Sequence, residues 1–439
     1  MAENNTASPW RWIPTLYIAE GLPYVAVNVL TVMIYFQMGI PKAEMAFYTG
    51  WLYLPWVIKP FWSPFVDIIS TKRRWTIAMQ WLMAAMMGSV GFLLPLPFFF
   101  SATLVAFWLL AFFSATHDIA ADGYYMLELD KTQQAAFVGV RSTFYRIANV
   151  MGQGGLVILA GWLLDQSGSP ERAWSLTFYF LALLFALIAL YHSWGMPRSS
   201  LDRPQISGTT AIDILRGFAT SFVSFFQKPG IWLALAFILL YRIPEALCLK
   251  LVVPFLMDSR EAGGLALTAS QVGAVNGTVG VISLLAGGIV GGLAIAAGGL
   301  RRWLWPMALS LTLPCVVYCY MAQAQPEDIF LISALIGIEQ FGYGFGFTAF
   351  MMYLIYFSRG EMQTSHYAFC TAFMALGMML PGMGAGWLHD ILVPLRIFGC
   401  GGYASFFLAV MASCLLTYIG CIAAIRTLRE GEMGSDVSR

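Results

Sequence analysis

Residues 174–194 read WSLTFYFLALLFALIALYHSW, an apolar run without a single Asp, Glu, Lys or Arg. A bilayer core about 30 Å thick is crossed by a helix of roughly 20 such residues. The run ends at the longest polar break of the chain, residues 195–230, which contains Pro197 and Pro204. We therefore interpret residues 174–194 as a membrane span and the break after it as a loop that divides the chain.

The composition of the whole chain agrees with a membrane environment. Its 439 residues are 59% hydrophobic and only 11% charged, which is unlike soluble domains. The formal charge of +1 leaves no basic surface for nucleic acid. The seven cysteines show neither disulfide nor zinc-site spacing, and residues 1–12 do not resemble a removable signal peptide. We expect no nucleic-acid partner, no metal and no cofactor.

Apolar runs of spanning length occur twelve times, which predicts an all-α membrane protein with 12 transmembrane helices. The predicted spans are 14–36, 46–66, 75–95, 100–125, 138–164, 174–194, 231–257, 271–297, 303–320, 328–357, 367–387 and 403–425. They give an N-terminal six-helix bundle at 1–194, a cytoplasmic linker at 195–230 and a C-terminal six-helix bundle with a short tail at 231–439. Residues 211–218 of the linker alternate charged and apolar side chains, as in a helix on the inner membrane surface or a plain tether.

The positions of Lys and Arg predict the orientation of the chain. Sixteen of the 24 lie in segments on the side of the two termini, and four lie in loops on the opposite side. Positively charged loops stay in the cytoplasm. Both termini are therefore predicted to be cytoplasmic.

Nine ionisable residues lie inside the predicted spans, where each costs at least about 2.5 to 3.5 kcal/mol unless it is paired or hydrated. They are Glu20, Lys59, Asp118, Asp122, Arg146, Arg242, Glu245, Lys250 and Glu339. Depths estimated from the helical rise separate them into two groups, one in each half. They are either structural ion pairs or the lining of an aqueous cavity, and their number favours the cavity.

Irregular backbone is predicted at the same places. Residues 20–23 read EGLP in the first span, and residues 242–245 read RIPE in the seventh, the equivalent position of the second half. Proline removes a backbone hydrogen bond and kinks a membrane helix. Aromatic residues accompany the charges, either to stack on a solute or to pack the interior.

The loops between spans two and three and between spans eight and nine carry a weak internal repeat. Arg73-Arg74-Trp75 in the first loop corresponds to Arg301-Arg302-Trp303 in the second. With the preceding SPFVD at 63–67, the first copy resembles a degenerate loop signature of the major facilitator superfamily. That resemblance implies that Asp67 faces the N-terminus of a helix from the other half, where a carboxylate is favoured.

Four stretches of the first half resemble the AmpG-type permeases of that superfamily, a family that includes acetyl-coenzyme A transporters. They are AEGLP at 19–23, LPWVIKPFWSPFVD at 54–67, HDIAADGY at 117–124 and GVRS at 139–142. The resemblance implies two pseudo-symmetric six-helix bundles and secondary active transport by alternating access across the bacterial inner membrane. It also implies proton-driven import of an anhydro-muramyl peptide derived from the cell wall, whereas related proteins carry acetyl-coenzyme A or siderophores.

A muropeptide is polar and anionic, so its site needs cations, hydrogen-bonding groups and aromatic surface. The substrate-binding candidates are Lys59, Arg146, Arg242, Tyr24, Trp56, Tyr145, Tyr241 and Tyr343. The proton-coupling candidates are Asp118 first and Glu20 second, followed by Asp122, Glu245 and Glu339, because a carboxyl group whose partners change can take up and release a proton. The gating or structural candidates are Asp67, Arg73, Arg74 and Arg141.

Other functional classes fit the sequence less well. It contains no Gly-x-Ser-x-Gly, no His-Glu-x-x-His and no phosphate-binding loop, so we do not expect an enzyme. A sensor without transport activity would be expected to carry a sizeable soluble domain, and the longest polar stretch is the linker. Within transport, an importer of a siderophore or an acyl-coenzyme A is the alternative. The expected partners are the solute, protons and membrane lipid, with the chain as a monomer.

Overall fold

The computed structural model describes residues 8–199, 202, 211–360, 362–395 and 402–436. Within these ranges the chain is helical and contains no β-strand. Eleven of the described helical segments are long and apolar enough to cross a membrane. They correspond to every predicted span except the second, which consists of two shorter helices.

The first half contains nine helices. They are α1 (Ile13–Val25), α2 (Thr31–Gln37), α3 (Lys42–Trp51), α4 (Leu54–Ile69), α5 (Lys72–Leu93), α6 (Phe99–Glu128), α7 (Lys131–Val150), α8 (Val157–Ser167) and α9 (Pro170–Gly195). Short π-helical segments, Ala26–Leu30 and Met151–Leu156, join α1 to α2 and α7 to α8. Each of these pairs therefore forms one span.

Ten further helices follow. They are α10 (Ala211–Phe226), α11 (Ile231–Leu240), α12 (Ile243–Met257), α13 (Ala269–Val272), α14 (Val281–Gly298), α15 (Leu300–Thr312), α16 (Val316–Ala324), α17 (Ile329–Ser358), α18 (Gln363–Leu392) and α19 (Tyr403–Asp436). A π-helical segment, Gly273–Gly280, joins α13 to α14, and a 3-10 turn, Leu313–Cys315, joins α15 to α16. Helix α10 covers the linker segment for which the sequence allowed a surface helix or a tether.

The described residues form two compact units. The first contains the residues up to Met38 and those from Ile58 to Gly217, and the second contains Gly39–Val57 and the residues from Phe218 onward. Helix α3 and the first turn of α4 therefore pack with the second half of the sequence. The division into bundles at residues 1–194 and 231–439 stays a prediction.

The predicted second span is interrupted after Trp51. Leu52 and Tyr53 form a turn, and α4 begins at Leu54 with Pro55 as its second residue. The first N–H groups of a helix have no partner within the helix, so proline is tolerated there but would break a continuous helix. The predicted span at 46–66 therefore consists of two helices joined by a turn, since a run of apolar residues reports the length of a span and not the continuity of its backbone.

The irregular backbone predicted in spans one and seven is present. Pro23 lies inside α1, and the π-helical segment begins three residues later. Helix α11 ends at Leu240, and α12 begins at Ile243 with Pro244 in its first turn. Spans one and seven therefore both depart from regular α-helix next to their charged residues.

Aromatic side chains fill the core of each unit. Trp12 packs edge-on against Tyr124 in the first unit, with ring centroids 5.0 Å apart. Phe237 and Tyr241 pack against Phe350 in the second. Such contacts hold the helices that carry the charged side chains in fixed positions.

Candidate functional site

Glu20 lies on α1 where this helix packs closely on α7. A Cβ atom at Gly21 would lie 2.7 Å from Cβ of Ala148 and 3.0 Å from the carbonyl oxygen of Tyr145, so the two backbones approach this closely because residue 21 is glycine. Oε2 of Glu20 is buried and has no hydrogen-bond partner among the described residues. Glu20 is thus a partly buried residue whose buried Oε2 atom lacks a hydrogen-bond donor in the described structure.

Two acidic side chains of α6 pair with cations from neighbouring helices. Oδ2 of Asp118 lies 3.9 Å from Nζ of Lys59, with side chains that are 15% and 28% exposed. Oδ1 of Asp122 lies 2.9 Å from Nη2 of Arg141 and accepts a hydrogen bond of 3.1 Å from the Tyr17 hydroxyl. The four-residue spacing of the aspartates puts both pairs on one face of α6.

Glu20 interacts electrostatically with both of these pairs. We refer to the five residues as the charged cluster: Glu20, Lys59, Asp118, Asp122 and Arg141. The charged cluster contains three carboxyl groups and two cations, so full ionisation leaves one negative charge unmatched within it. A single proton would balance the charged cluster, and buried charge without a partner is costly.

Arg146 lies on the same helix as Arg141 but is not paired with a carboxylate of the described residues. Its Nε lies 3.4 Å from the Ser142 hydroxyl, a long hydrogen bond. Its guanidinium and the Tyr24 hydroxyl are both close enough to the Tyr145 hydroxyl to interact with it electrostatically. Arg146, Tyr24 and Tyr145 are all partly exposed and together offer a positive charge and two phenol groups.

The second unit holds a different arrangement. Nε and Nη2 of Arg242 donate to Oε2 and Oε1 of Glu245 at 2.7 and 2.5 Å, a bidentate ion pair. Nη2 also donates to the Tyr343 hydroxyl at 3.1 Å, and the guanidinium lies 4.7 Å from the centroid of the Phe347 ring. Arg242 and Glu245 therefore satisfy each other, as the structural interpretation of the intramembrane charges requires.

Glu339 of α17 is also satisfied by its neighbours. Its Oε2 accepts hydrogen bonds from the Tyr318 hydroxyl at 3.0 Å and from the Gln340 amide at 2.8 Å. It does not form an ion pair with a described residue. Glu339 therefore shares neither of these hydrogen bonds with Arg242 or Glu245, although all three residues belong to the second unit.

Two of the predicted solute-binding aromatic residues are part of the core. Tyr241 is fully buried, donates a 3.0 Å hydrogen bond to the Gly346 carbonyl oxygen and stacks on Phe350. Trp56 is 8% exposed and belongs to the second unit. These contacts engage the Tyr241 side chain with α17, and the solute-binding roles of Tyr241 and Trp56 stay predictions.

The Arg73 side chain donates hydrogen bonds to backbone carbonyl groups at the end of α9 and not to a carboxylate of the described residues. Its Nε and Nη2 donate to the carbonyl oxygens of Met196 and Ser193 at 3.0 and 2.5 Å, where a helix end leaves such groups without partners. Arg74 is exposed. The side chain of Asp67 lies outside the described residues, so its predicted position at a helix N-terminus stays a prediction.

A carboxylate at a helix N-terminus is nevertheless present, supplied by Asp202. Its Oδ1 and Oδ2 accept the backbone N–H groups of Lys72 and Arg73, the first residues of α5, at 2.7 and 2.9 Å. Negative charge is favoured at this end of a helix. Asp202 carries no signal in the sequence, because it lies in the linker, 130 positions from its partner Lys72.

A buried chain of polar side chains in the first unit was also missed. The Thr15 hydroxyl lies 2.8 Å from Nε2 of His192, Nδ1 of His192 lies 2.9 Å from Oε1 of Gln80, and Nε2 of Gln80 lies 3.0 Å from Nε2 of His117. Gln80 and the two histidines are fully buried. The four residues come from four different helices, so their spacing in the sequence does not predict these contacts.

Among the described residues, no set of three or more His, Cys, Asp or Glu side chains could hold a metal ion. The six described cysteines are free and buried.

Comparison with known proteins agrees with this fold. Residues 18–324 match the BT1 family. The anhydromuropeptide permease of Escherichia coli K12 is 24% identical over 85% of this chain and 71% of its own length. A bacterial homologue of the human lysosomal transporter Spinster superposes with a TM-score of 0.72 at 15% identity, covering 96% of this chain and 98% of that one. The nucleoside transporter NupG superposes with a TM-score of 0.69 at 12% identity, covering 94% and 98%.

These likenesses confirm the major facilitator fold and the resemblance to AmpG-type permeases. The BT1 match covers well over half of the chain, including the complete charged cluster. The chain is a membrane transporter of the AmpG permease kind, and it belongs to the BT1 family.

Proposed function

We propose that this transporter imports a cell-wall-derived anhydromuropeptide across the bacterial inner membrane and couples the import to protons. The substrate is supported by the name of the E. coli relative and by the chemistry of the first unit. A muropeptide carries carboxylates and sugar rings, and the partly exposed Arg146, Tyr24 and Tyr145 supply a cation and aromatic hydroxyl groups. These groups match an anionic glycopeptide better than an apolar solute.

The observation that carries proton coupling is that Oε2 of Glu20, in the charged cluster, has no hydrogen-bond partner among the residues that the structure describes. One proton would balance the three carboxyl groups and two cations, and a solute carboxylate that drew Lys59 away from Asp118 would increase the demand for that proton. The Lys59–Asp118 distance of 3.9 Å is long for an ion pair, so this contact is the one most easily exchanged. Solute and proton would then be bound by the same set of side chains.

Uptake into liposomes containing the purified protein tests the substrate. We expect labelled anhydromuropeptide to accumulate when the lumen is alkaline relative to the outside, and to stop accumulating when a protonophore collapses the gradient. Acetyl-coenzyme A and a ferric siderophore serve as competing solutes under the same conditions. Accumulation of either of them in place of the muropeptide would overturn the substrate assignment.

Two substitutions test the coupling. Glu20→Gln and Asp118→Asn each leave two carboxyl groups and two cations, so both should reduce the dependence of uptake on the proton gradient while exchange of labelled for unlabelled solute continues. Glu339→Gln is the matched control, because that carboxyl already accepts two hydrogen bonds. Unchanged gradient dependence in both cluster variants would remove the charged cluster from the coupling role.

A further inference from the structure

Lys250 of α12 is a buried cation without a carboxylate partner. The residue is 1% exposed, and its Nζ donates a 3.0 Å hydrogen bond to the Thr49 hydroxyl. The ammonium also lies 5.3 Å from the centroid of the Tyr53 ring. Within the described part of the chain, these two neutral groups are the partners of the Lys250 ammonium.

This environment differs from that of the intramembrane cations that form ion pairs. Lys59 and Arg242 each have a carboxylate within 4 Å. A hydroxyl and an aromatic face compensate an ammonium only in part, because removing a charge from water costs several kcal/mol. An ionisable group kept at this cost inside a membrane span indicates a functional role.

Helix α3 covers Lys250 from one side. Thr49 belongs to α3, and Tyr53 belongs to the turn that follows it. The stem of Lys250 packs on α18, where a Cβ atom at Gly382 would lie 3.5 Å from Cε. Separation of α3 from α18 would therefore remove both neutral partners and uncover the ammonium.

The opposite end of α3 is fastened to the rest of the second unit. Nζ of Lys42 lies 2.6 Å from Oδ2 of Asp258, which also accepts a 3.0 Å hydrogen bond from the Tyr403 hydroxyl. Both charged side chains are about one fifth exposed. A Cβ atom at Gly386 of α18 would lie 2.5 Å from Cα of Ala43, so the backbones of α3 and α18 touch. A polar contact that water reaches is easier to break and reform than a dry apolar one.

We propose that Lys250 binds an anionic group of the transported solute and that α3 is a lid over Lys250, held shut by the Lys42–Asp258 ion pair. With the lid closed, Thr49 and Tyr53 occupy the place of the anion. With the lid open, a carboxylate or phosphate of the solute replaces them. The proposal rests on the proposed transport function, but the position of the lid is measured below without any solute.

A disulfide across α3 and α18 tests the lid. A Cβ atom at Gly50 would lie 3.3 Å from Cβ of Met383, just short of the 3.5–4.5 Å of a disulfide, so a shift of a few tenths of an ångström would admit the bridge. In a background without native cysteines, we expect oxidation of the Gly50→Cys/Met383→Cys pair to stop uptake and a reductant to restore it. Full uptake by fully cross-linked protein would overturn the lid.

Thiol labelling tests the lid without a transport substrate. In the same background, Lys250→Cys should react slowly with sulfonatoethyl methanethiosulfonate, and Lys42→Gln should raise its reaction rate by about tenfold, which corresponds to 1.4 kcal/mol from the lost ion pair. The reagent is applied from each side of the membrane in turn. Equal rates with and without the Lys42–Asp258 pair would show that it does not hold α3 closed, whatever the solute is.

The anion-binding role has its own readout. Lys250→Met should raise the KM for an anionic muropeptide by about 30-fold, the effect of removing one partner of a buried charge contact, while Lys250→Arg should retain most of the affinity. A muropeptide whose carboxylates are amidated should show no difference between Lys250 and Lys250→Met. A loss of the same size for both solutes would assign Lys250 a structural role and overturn the proposal.

Discussion

The Arg242–Glu245 pair allows a direct measurement of whether an intramembrane charge is structural. The two side chains are 10% and 16% exposed, and two short hydrogen bonds join them. Removing one member leaves the other buried and uncompensated, which costs about 3–5 kcal/mol. Removing both leaves no such charge, so Arg242→Met/Glu245→Gln should be far more stable than the sum of the single losses predicts. The expected coupling energy is about 3 kcal/mol.

Thermal unfolding of the purified protein in detergent gives the comparison, with the wild type, the two single variants and the double variant measured together. The matched control is Lys59→Met with Asp118→Asn, whose ion pair is longer and more exposed and should couple by less than about 1 kcal/mol. Strictly additive losses at Arg242 and Glu245 would refute the structural interpretation. A double variant that is stable but has lost uptake would show that Arg242 also binds the solute.

Three further predictions concern packing and charge elsewhere. Gly344→Ala should lower the thermal unfolding temperature strongly, because the added Cβ would overlap the carbonyl group of Leu284, whereas Gly292→Ala should be tolerated since nothing lies within 4 Å. Asp202→Asn should cost about 0.3–1 kcal/mol through the lost charge at the start of α5, and the difference from wild type in unfolding temperature should shrink in high salt. Arg141→Lys keeps the charge of the charged cluster but not the guanidinium above the Tyr17 ring, so uptake assays should find a lower rate with an unchanged dependence on the proton gradient.

Much of the fold could be predicted from the sequence because a bilayer imposes a simple length rule. Runs such as 174–194 correspond to single helices, since an apolar segment in lipid must satisfy its own backbone hydrogen bonds. The interruption at Leu52 and Tyr53 depends on Pro55 and on close packing of α3 against α18, which no hydropathy window contains. The grouping of Gly39–Val57 with the second half is likewise a property of packing.

The sequence predicts which charged residues belong to the candidate site but not which of them contact each other. The cost of charge in lipid identifies Glu20, Asp118 and Arg242 without a structure. The cost does not say which carboxylate each cation will meet, and Arg141, a candidate for a gating or structural role, pairs with Asp122. Charged residues in loops or at helix ends, such as Lys42, cannot be identified in this way, because a lysine at a helix end can reach water and its presence does not indicate a partner.

The two halves treat equivalent charged positions differently, and this difference bears on where a proton could be carried. In the RIPE segment of span seven, Glu245 is held by the guanidinium three residues before it, so its charge is already compensated within one turn of helix. In the EGLP segment of span one, Glu20 has no cation on its own helix, and Oε2 lacks a hydrogen-bond partner in the described structure. Charge compensation of Glu20 must therefore come from Lys59 of α4 and Arg141 of α7, which also pair with the aspartates of α6 and can exchange partners when these helices move. A carboxyl group whose compensation depends on other helices is the one whose protonation can follow a conformational change, which is why we propose that proton coupling resides in the first half.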